Sequence, residues 1–222
     1  MKIKQLDLRD LKPDLRMPDE HTLHVWTFTS DAPSNVHKNV HEHSHALLYK
    51  LLSCYLKYPE DKLILGTEEH GKPCLLPPAE KSRHLPPLHF NLSHAGSYIV
   101  FIFSSCTPVG IDIESTRRKA NMDRIASRLF LPEEISHLKE LAGEEKTLYF
   151  FRCWTRMESL LKGIGTGLSA TLNDKHIQEE RALWELKSVP APEGYLCCAA
   201  YRIGDGHFFI LPRPQPASYS PR

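Results

Sequence analysis

Three acidic residues and one lysine have the types and spacing of a phosphate-handling metal site. Asp112 and Glu114 alternate within the segment Gly110–Glu114, and alternate side chains of a β-strand lie on one face. Glu158 and Lys162 are one helical turn apart, so in a helix they would share a face. Hard divalent cations prefer oxygen ligands and can share them with phosphate esters. The pattern predicts phosphoryl-type transfer around a divalent metal.

Each of these pairs also has a purely structural explanation. Two acidic residues on the outer face of an edge strand are common, and an exposed Glu/Lys pair stabilises a helix by only a few tenths of a kcal/mol. The two pairs together are more informative, because the predicted helix ends at the glycine-rich segment Gly163–Gly167, where a chain can turn with positive φ. The sequence favours a site and leaves the structural alternative open.

Two short segments contain candidate phosphate ligands. The segment Asn91–Gly96 can be a polar turn with an Asn cap and a glycine. Alternatively, Ser93 and His94 donate hydrogen bonds to a phosphate, and His94 gains charge as the anion approaches. Lys72 is a weaker candidate of the same kind, at the tip of a predicted turn over residues 71–73.

A basic group and a histidine group complete the candidates. A basic group of this kind is most often solvated, but it could also dock an acidic protein partner. It consists of Arg117, Arg118, Lys119, Arg124 and Arg128.

The histidine group could bind a metal through residues at i and i+4, but it has no clear supporting partners, so structural roles are favoured. It consists of His37, His41, His43 and His45.

The composition is that of a soluble globular protein. The 222 residues have a hydrophobic share of 41%, as in ordinary globular proteins. The formal net charge of +1 argues against nucleic acid as a partner, because domains that bind nucleic acid carry a strong basic excess. No stretch reaches about eighteen apolar residues, and the N-terminus lacks an apolar signal segment. The six cysteines form no Cys-x-x-Cys pair, as is typical of reduced thiols. We expect a cytoplasmic protein that does not span a membrane.

Hydrophobic periodicity predicts an α+β protein. Helices are expected at about residues 46–56, 121–130 and 144–162, and a further helix is expected to begin at residue 132. Strands are expected at about 25–28, 88–92, 98–104, 110–114, 183–189, 195–203 and 207–211. The strand at 110–114 is expected to pair with the strand at 98–104 across the turn at 106–108. Residues 1–43 are otherwise the least interpretable part of the chain.

Three blocks of the sequence together resemble the 4'-phosphopantetheinyl transferases of the surfactin-synthetase-activating type. They are Phe90–Gly96, Gly110–Glu114 and Trp154–Lys162, the last followed by the segment 163–168. The resemblance implies two similar α+β halves related by a pseudo-twofold, in a monomer that binds coenzyme A in the cleft between them. We expect the halves at residues 1–105 and 106–212, with the metal and catalytic motifs in the second, and a frayed proline-rich tail at 213–222.

The resemblance also implies an activity and a site. Enzymes of this family move the phosphopantetheine arm of coenzyme A onto a serine of an apo acyl or peptidyl carrier protein and release adenosine 3',5'-bisphosphate. By motif match, Mg²⁺ would be held by Asp112, Glu114 and Glu158. The diphosphate would contact Lys162, and the nucleotide phosphates would be held by Lys72, Ser93 and His94. Glu158 would act as a metal ligand or as the general base for the serine hydroxyl, and Lys162 would share the catalytic role.

Two departures from the family pattern leave an alternative open. Met157 stands where the family usually has lysine, and His45 and Ala46 stand where arginine and small polar residues are expected. Nearby histidines and Lys38 would then substitute for the family's phosphate-binding cations. The alternative is a catalytically weak relative that binds coenzyme A or a carrier protein without turnover.

Overall fold

The computed structural model describes residues 1–12, 15–29, 37–68, 70–79, 84–167, 172 and 174–203. The strands are β1 (Lys2–Leu6), β2 (Thr22–Thr29), β3 (Leu65–Thr67), β4 (Pro73–Leu75), β5 (His89–Ala95), β6 (Tyr98–Ser104), β7 (Val109–Ser115), β8 (Trp184–Val189) and β9 (Tyr195–Arg202). The helices are α1 (His37–Leu56), α2 (Met122–Leu129), α3 (Pro132–Glu140), α4 (Gly143–Ile164) and α5 (Lys175–Arg181). Short 3₁₀ turns lie at Leu8–Asp10 and Glu60–Lys62.

The first half of the chain forms a four-stranded sheet covered by one long helix. The strand order is β1-β2-β6-β5, in which β1 is parallel to β2 and the other pairs are antiparallel. On one face of this sheet, Trp26 and Phe101 pack in an apolar cluster with Leu48 and Leu52 of α1. The leucines recur at helical spacing, so α1 presents one continuous apolar stripe to the sheet.

The second half repeats this plan with a three-stranded antiparallel sheet of order β7-β9-β8. Helix α4 buries Phe150 and Leu161 in a cluster that includes Trp184 of β8. Asn121 caps α2 through its side chain, and Pro132 is the first residue of α3. Both helix starts were predicted. An acceptor side chain before a helix bonds to one of its unpaired N–H groups, and a proline at the first position has no N–H group to pair.

The two sheets pack face to face, and the long helices lie outside them. Val25, Ile102 and Ile111 belong to one buried cluster formed by β2, β6, β7 and β9. The layers are therefore α1, first sheet, second sheet and α4. Side chains alternate along β7, so Asp112 and Glu114 lie on the opposite face, toward α4. The α+β class is confirmed: each half has one larger sheet and one long helix, and β3 and β4 add a two-stranded sheet to the first half.

The predicted pairing of the 110–114 strand was wrong. β7 pairs with β9, with Asp112 opposite Cys198, and not with β6. A strand has two edges, and both edges of β6 are occupied, by β2 and by β5. The strand β1 was not predicted, because its charged and apolar residues alternate without a clear β-forming run. The predicted strand at 207–211 and the tail at 213–222 lie outside the described residues.

Two bulk properties agree with the composition. No described helix combines the length and the apolarity needed to cross a membrane. All six cysteines are free thiols, and Cys153, Cys197 and Cys198 are buried, as expected of thiols that pack as small apolar groups.

Candidate active site

A glycine brings helix α4 directly against strand β7. A Cβ atom on Gly110 would lie 2.0 Å from the carbonyl oxygen of Ser159 and 2.4 Å from the amide nitrogen of Gly163. Both of these are main-chain atoms of α4, so the strand and helix backbones are in contact and any side chain at position 110 would separate them. This contact places the end of α4 beside the acidic residues of β7.

The lysine of α4 pairs with the first acidic residue of β7. Lys162 Nζ lies 2.7 Å from Oδ1 of Asp112 and donates a second hydrogen bond of 3.0 Å to Oγ of Ser93. Ser93 in turn donates to the same Asp112 oxygen at 2.9 Å. The other oxygen, Oδ2, is buried and accepts no hydrogen bond within the described part of the chain. Residues from all three sequence blocks therefore meet.

Glu114 is held by two donors that the sequence analysis had assigned elsewhere. Its Oε1 accepts hydrogen bonds from Nε1 of Trp154 at 3.1 Å and from Nη1 of Arg118 at 2.5 Å. The Arg118 guanidinium also lies over the Trp154 ring, 5.8 Å from its centroid. Arg118 belongs to the basic group for which the sequence predicts solvation or partner docking, and Trp154 is the first residue of the third sequence block. Two spacings in the sequence could have indicated these contacts: Arg118 follows Glu114 by four residues, and Trp154 precedes Glu158 by one helical turn.

The three carboxylates share a buried environment that disfavours their charges. Glu158 has 7% of its surface exposed, and burial, then the charge of Asp112, raises its pKa to about 7. Burial, then Asp112, also raises the pKa of Glu114, and burial raises the pKa of Asp112 despite its pairing with Lys162. Carboxylates with raised pKa values in one site are stabilised in their charged forms by any cation that joins them.

These residues provide ligands that suit a hard cation but do not form a complete metal site as they stand. Asp112 Oδ2 is a buried oxygen to which no described residue donates, and a divalent cation would satisfy such an atom. Among the described residues, no three Asp, Glu, His or Cys side chains are close enough to ligate one ion. Instead, Oδ1 of Asp112 is paired with Lys162, and Oε1 of Glu114 is paired with Arg118 and Trp154.

Side chains of β5 join the two halves at this site. Asn91 Oδ1 accepts a hydrogen bond of 3.0 Å from the amide of Ile111, and Ser93 Oγ accepts one of 3.4 Å from the amide of Ile113. β5 and β7 are edge strands of different sheets, so these side chains replace the main-chain bonds that a shared sheet would supply. Asn91 and Ser93 are therefore structural as well as candidate binding residues.

The structure places the other predicted phosphate ligands differently. Lys72 is half-buried, and its Nζ donates to the carbonyl oxygens of Gly163 at 2.8 Å and of Val109 at 3.3 Å; burial lowers the pKa of this lysine. His94 follows Ser93 and is exposed, on the opposite face of β5. Lys72 thus lies at the base of the site, whereas strand alternation directs His94 to the face of β5 opposite Ser93.

Comparisons with known proteins identify the family. Residues 108–195 match the profile of the 4'-phosphopantetheinyl transferase superfamily, and residues 15–106 match a profile for the N-terminal part of such a transferase. The chain is 36% identical over 163 residues to the 4'-phosphopantetheinyl transferase Sfp of Bacillus subtilis (strain 168), covering 72% of this chain and 67% of Sfp. It is 31% identical over 210 residues to the transferase gsp of Aneurinibacillus migulanus, covering 82% of each. The chain belongs to the 4'-phosphopantetheinyl transferase family.

Coverage of the relatives is partial. A second Bacillus subtilis 4'-phosphopantetheinyl transferase is 42% identical over 141 residues, which is 60% of this chain and 54% of that protein. Thus the chain spans between about half and two thirds of the two Bacillus subtilis transferases named here. The family predicted from the three sequence blocks is confirmed by these comparisons.

The two departures from the family pattern have different structural settings. Met157 is 1% exposed and belongs to the apolar cluster under α4, so it extends the core of this transferase. His45 is half-buried and stacks on His41 with ring centroids 4.4 Å apart. Burial, then His41, lowers the pKa of His45. The side chains of His37 and Lys38 lie outside the described parts, so their predicted role stays a prediction.

Proposed function

We propose that this chain is an active 4'-phosphopantetheinyl transferase that transfers the phosphopantetheine group of coenzyme A to a serine of an apo acyl or peptidyl carrier protein. The observation that carries the proposal is the meeting of Asp112, Ser93 and Lys162 at 2.7–3.0 Å, beside Glu114 and Glu158. These residues come from separate blocks of a chain that belongs to this family.

Magnesium is the proposed metal of this site. Asp112, Glu114 and Glu158 would hold it. Support comes from the raised pKa values of all three carboxylates and from Oδ2 of Asp112, which accepts no hydrogen bond from the described residues. When bound, Mg²⁺ supplies charge neutralisation for the departing bisphosphate.

Lys162 is proposed as the second source of positive charge for the reaction. The carrier serine oxygen forms a bond to the β-phosphorus of coenzyme A while the bond from that phosphorus to the bridging oxygen breaks, which releases adenosine 3',5'-bisphosphate. Negative charge grows on the leaving oxygen. A fixed ammonium beside Asp112 stabilises that charge, because the site is mostly buried and screening by water is weak.

Glu158 is proposed to receive the serine proton and to contribute to metal binding. A pKa of about 7 in the metal-free protein suits a base that works near neutral pH, whereas a cation nearby would lower the pKa and weaken the base. The pH–rate profile of Glu158→Gln separates the two roles. If Glu158 is the base, the variant loses the ionisation seen in the wild-type profile; an unchanged profile rejects this role.

The phosphate-binding roles of Ser93, His94 and Lys72 remain part of the proposal. Ser93 has the strongest support, because its hydroxyl already contacts Lys162 and Asp112. Lys72 uses two hydrogen bonds on main-chain carbonyls, and an ammonium has a third donor for a phosphate.

We propose the protein as a cytoplasmic monomer whose halves divide near residue 105 and whose partner is a carrier protein rather than nucleic acid.

A mass-spectrometric assay tests the proposal. The purified chain is incubated with coenzyme A, Mg²⁺ and several apo carrier proteins, including one whose acceptor serine is replaced by alanine. The expected result is a phosphopantetheine mass increment on the serine carriers that is absent with EDTA and absent on the alanine carrier. Lack of transfer to every carrier, with retained coenzyme A binding, would favour the catalytically weak alternative, which the loss of a cation at Met157 supports.

A further inference from the structure

Arg118 is built into the carboxylate site by three mutually consistent contacts. Its Nη1 bonds to Glu114, its guanidinium lies over the Trp154 ring, and the Trp154 indole N–H bonds to the same Glu114 oxygen. A guanidinium held both by a carboxylate and by an aromatic face is pre-organised, because its planar fork loses little further freedom when it binds an anion.

Within the described part of the chain, few cations besides Arg118 lie beside the three carboxylates. Helix α4 contributes Lys162, whereas the residue before Glu158 is Met157, which is 1% exposed in the apolar cluster. Among the described residues, Arg118 and Lys162 are the two cations whose charges act on all three carboxylates and offset part of the rise in their pKa values. A substrate diphosphate would bring further negative charge to a site that already holds three acidic groups.

We propose that Arg118 is a substrate-binding residue that donates to the diphosphate oxygens of coenzyme A. This inference rests on the proposed function of the site. A guanidinium has five N–H donors, and the ion pair with Glu114 uses Nη1 only. The Arg118 side chain is 51% exposed while that of Glu114 is 14% exposed, so the inner edge of the guanidinium is anchored and donors remain at the open side. Arginine recognises diphosphate oxygens through such paired donors.

Calorimetric titration with coenzyme A tests the proposal in wild type, Arg118→Gln, Arg118→Lys and Arg117→Gln, each with Mg²⁺ and with EDTA. Arg118→Gln should weaken binding about 10- to 150-fold, which is the effect of losing one hydrogen bond between charged groups. Arg118→Lys should recover part of the loss, since it keeps the charge and loses the fork. Arg117 is the exposed neighbour, and Arg117→Gln should change the Kd by less than about twofold.

The metal-free titration separates direct binding from an effect through Glu114. If Arg118 contacts the diphosphate directly, Arg118→Gln should lose the same affinity for coenzyme A in EDTA as with Mg²⁺. The loss of affinity should be equally large for dephospho-coenzyme A, which keeps the diphosphate and lacks the 3'-phosphate. A loss seen only with Mg²⁺ would show that Arg118 merely positions Glu114. A loss that vanishes for dephospho-coenzyme A would assign Arg118 to the 3'-phosphate. Either result overturns the proposal.

The same samples separate this inference from the proposed function. If wild type and Arg118→Gln bind coenzyme A equally and both modify a carrier protein, the inference alone fails. If wild type neither binds coenzyme A nor modifies a carrier, the proposed function fails and the inference with it. Thermal unfolding of each variant checks folding, and Arg118→Lys keeps the test decisive should Arg118→Gln be unstable.

Discussion

The hydroxyl of Ser93 donates a 2.9 Å hydrogen bond to Oδ1 of Asp112, across the seam between the two sheets. Ser93 lies on the edge strand β5 of the first half, and Asp112 lies on the edge strand β7 of the second. Lys162 bonds to both side chains. The site therefore depends on the relative position of the two halves, and changes at the seam should affect both stability and activity.

Asp112→Asn should lower kcat at least about 100-fold, because the carboxylate that pairs with Lys162 and is proposed to bind the metal loses its charge. The measurement is the rate of phosphopantetheine transfer to an apo carrier protein. Asp123→Asn is the matched control, since Asp123 is exposed on α2 and pairs with Lys146 instead. Turnover of Asp112→Asn close to that of the control would contradict the assignment of Asp112.

Gly110→Ala should destabilise the protein by at least about 3 kcal/mol, because the new methyl group would overlap main-chain atoms of α4 that cannot rotate away. Urea unfolding gives the free energy of unfolding. Gly143→Ala serves as the control: its Cβ would meet nothing within 4 Å, although its φ of 58° is strained for alanine, so about 1 kcal/mol is expected. Equal losses in the two variants would refute close contact between β7 and α4.

Glu158→Gln should stabilise the metal-free protein at pH 8 by about 1–3 kcal/mol. The folded state raises the pKa of Glu158 from 4.5 to about 7 and so favours its protonated form. The stability that this proton confers is complete below pH 4.5 and is lost as the pH rises through 7. The groups acting on Glu158 are Asp112 and Glu114, which raise its pKa, and Lys162 and Arg118, which lower it.

The test of this effect is the unfolding free energy measured from pH 4 to pH 8 in EDTA. Glu158→Gln should flatten the decline between about pH 4.5 and 7. Glu145→Gln is the comparison, because it removes an exposed carboxylate from the first turn of the same helix. A decline of unchanged steepness in Glu158→Gln would mean that the burial of this carboxylate does not control the pH dependence.

Carrier docking on the basic group predicts a salt effect. Arg118 is engaged by Glu114, but Arg117, Lys119, Arg124 and Arg128 are exposed. Arg124→Gln with Arg128→Gln should raise the apparent KM for an acidic carrier about two- to tenfold, and added salt should raise it as well, with less effect on a short peptide acceptor. Lys175→Gln, on α5, is the control. Equal salt effects on carrier and peptide would argue against docking at this surface.

Local patterns in the sequence predicted the individual elements of the site well. The spacing of Phe150, Met157 and Leu161 indicated α4, and the alternation through Asp112 and Glu114 indicated a strand with one polar face; both are confirmed. These signals are reliable because they arise from residues within one element, where geometry is fixed by 3.6 or 2 residues per repeat.

Contacts between distant elements were not predictable in the same way. The pairing of β7 with β9 depends on which edges the other strands have already occupied, and no local pattern carries that information. Arg118 belongs to a basic group for which the sequence left solvation and partner docking open, and its bond to Glu114 depends on the path of the turn after β7. Lys72 was predicted to bind a phosphate. Its hydrogen bonds to main-chain carbonyls of α4 and of the first residue of β7 could be seen only in the folded structure.

The backbone contact at Gly110 has a consequence for protein engineering. Main-chain atoms set the separation of β7 and α4 at this point, so the helix cannot move closer to the strand there when the apolar residues beneath it change. The interior of the second half could therefore be redesigned for heat tolerance, with Phe150 or Met157 exchanged for other apolar residues, while this backbone contact still limits how closely the helix approaches the strand.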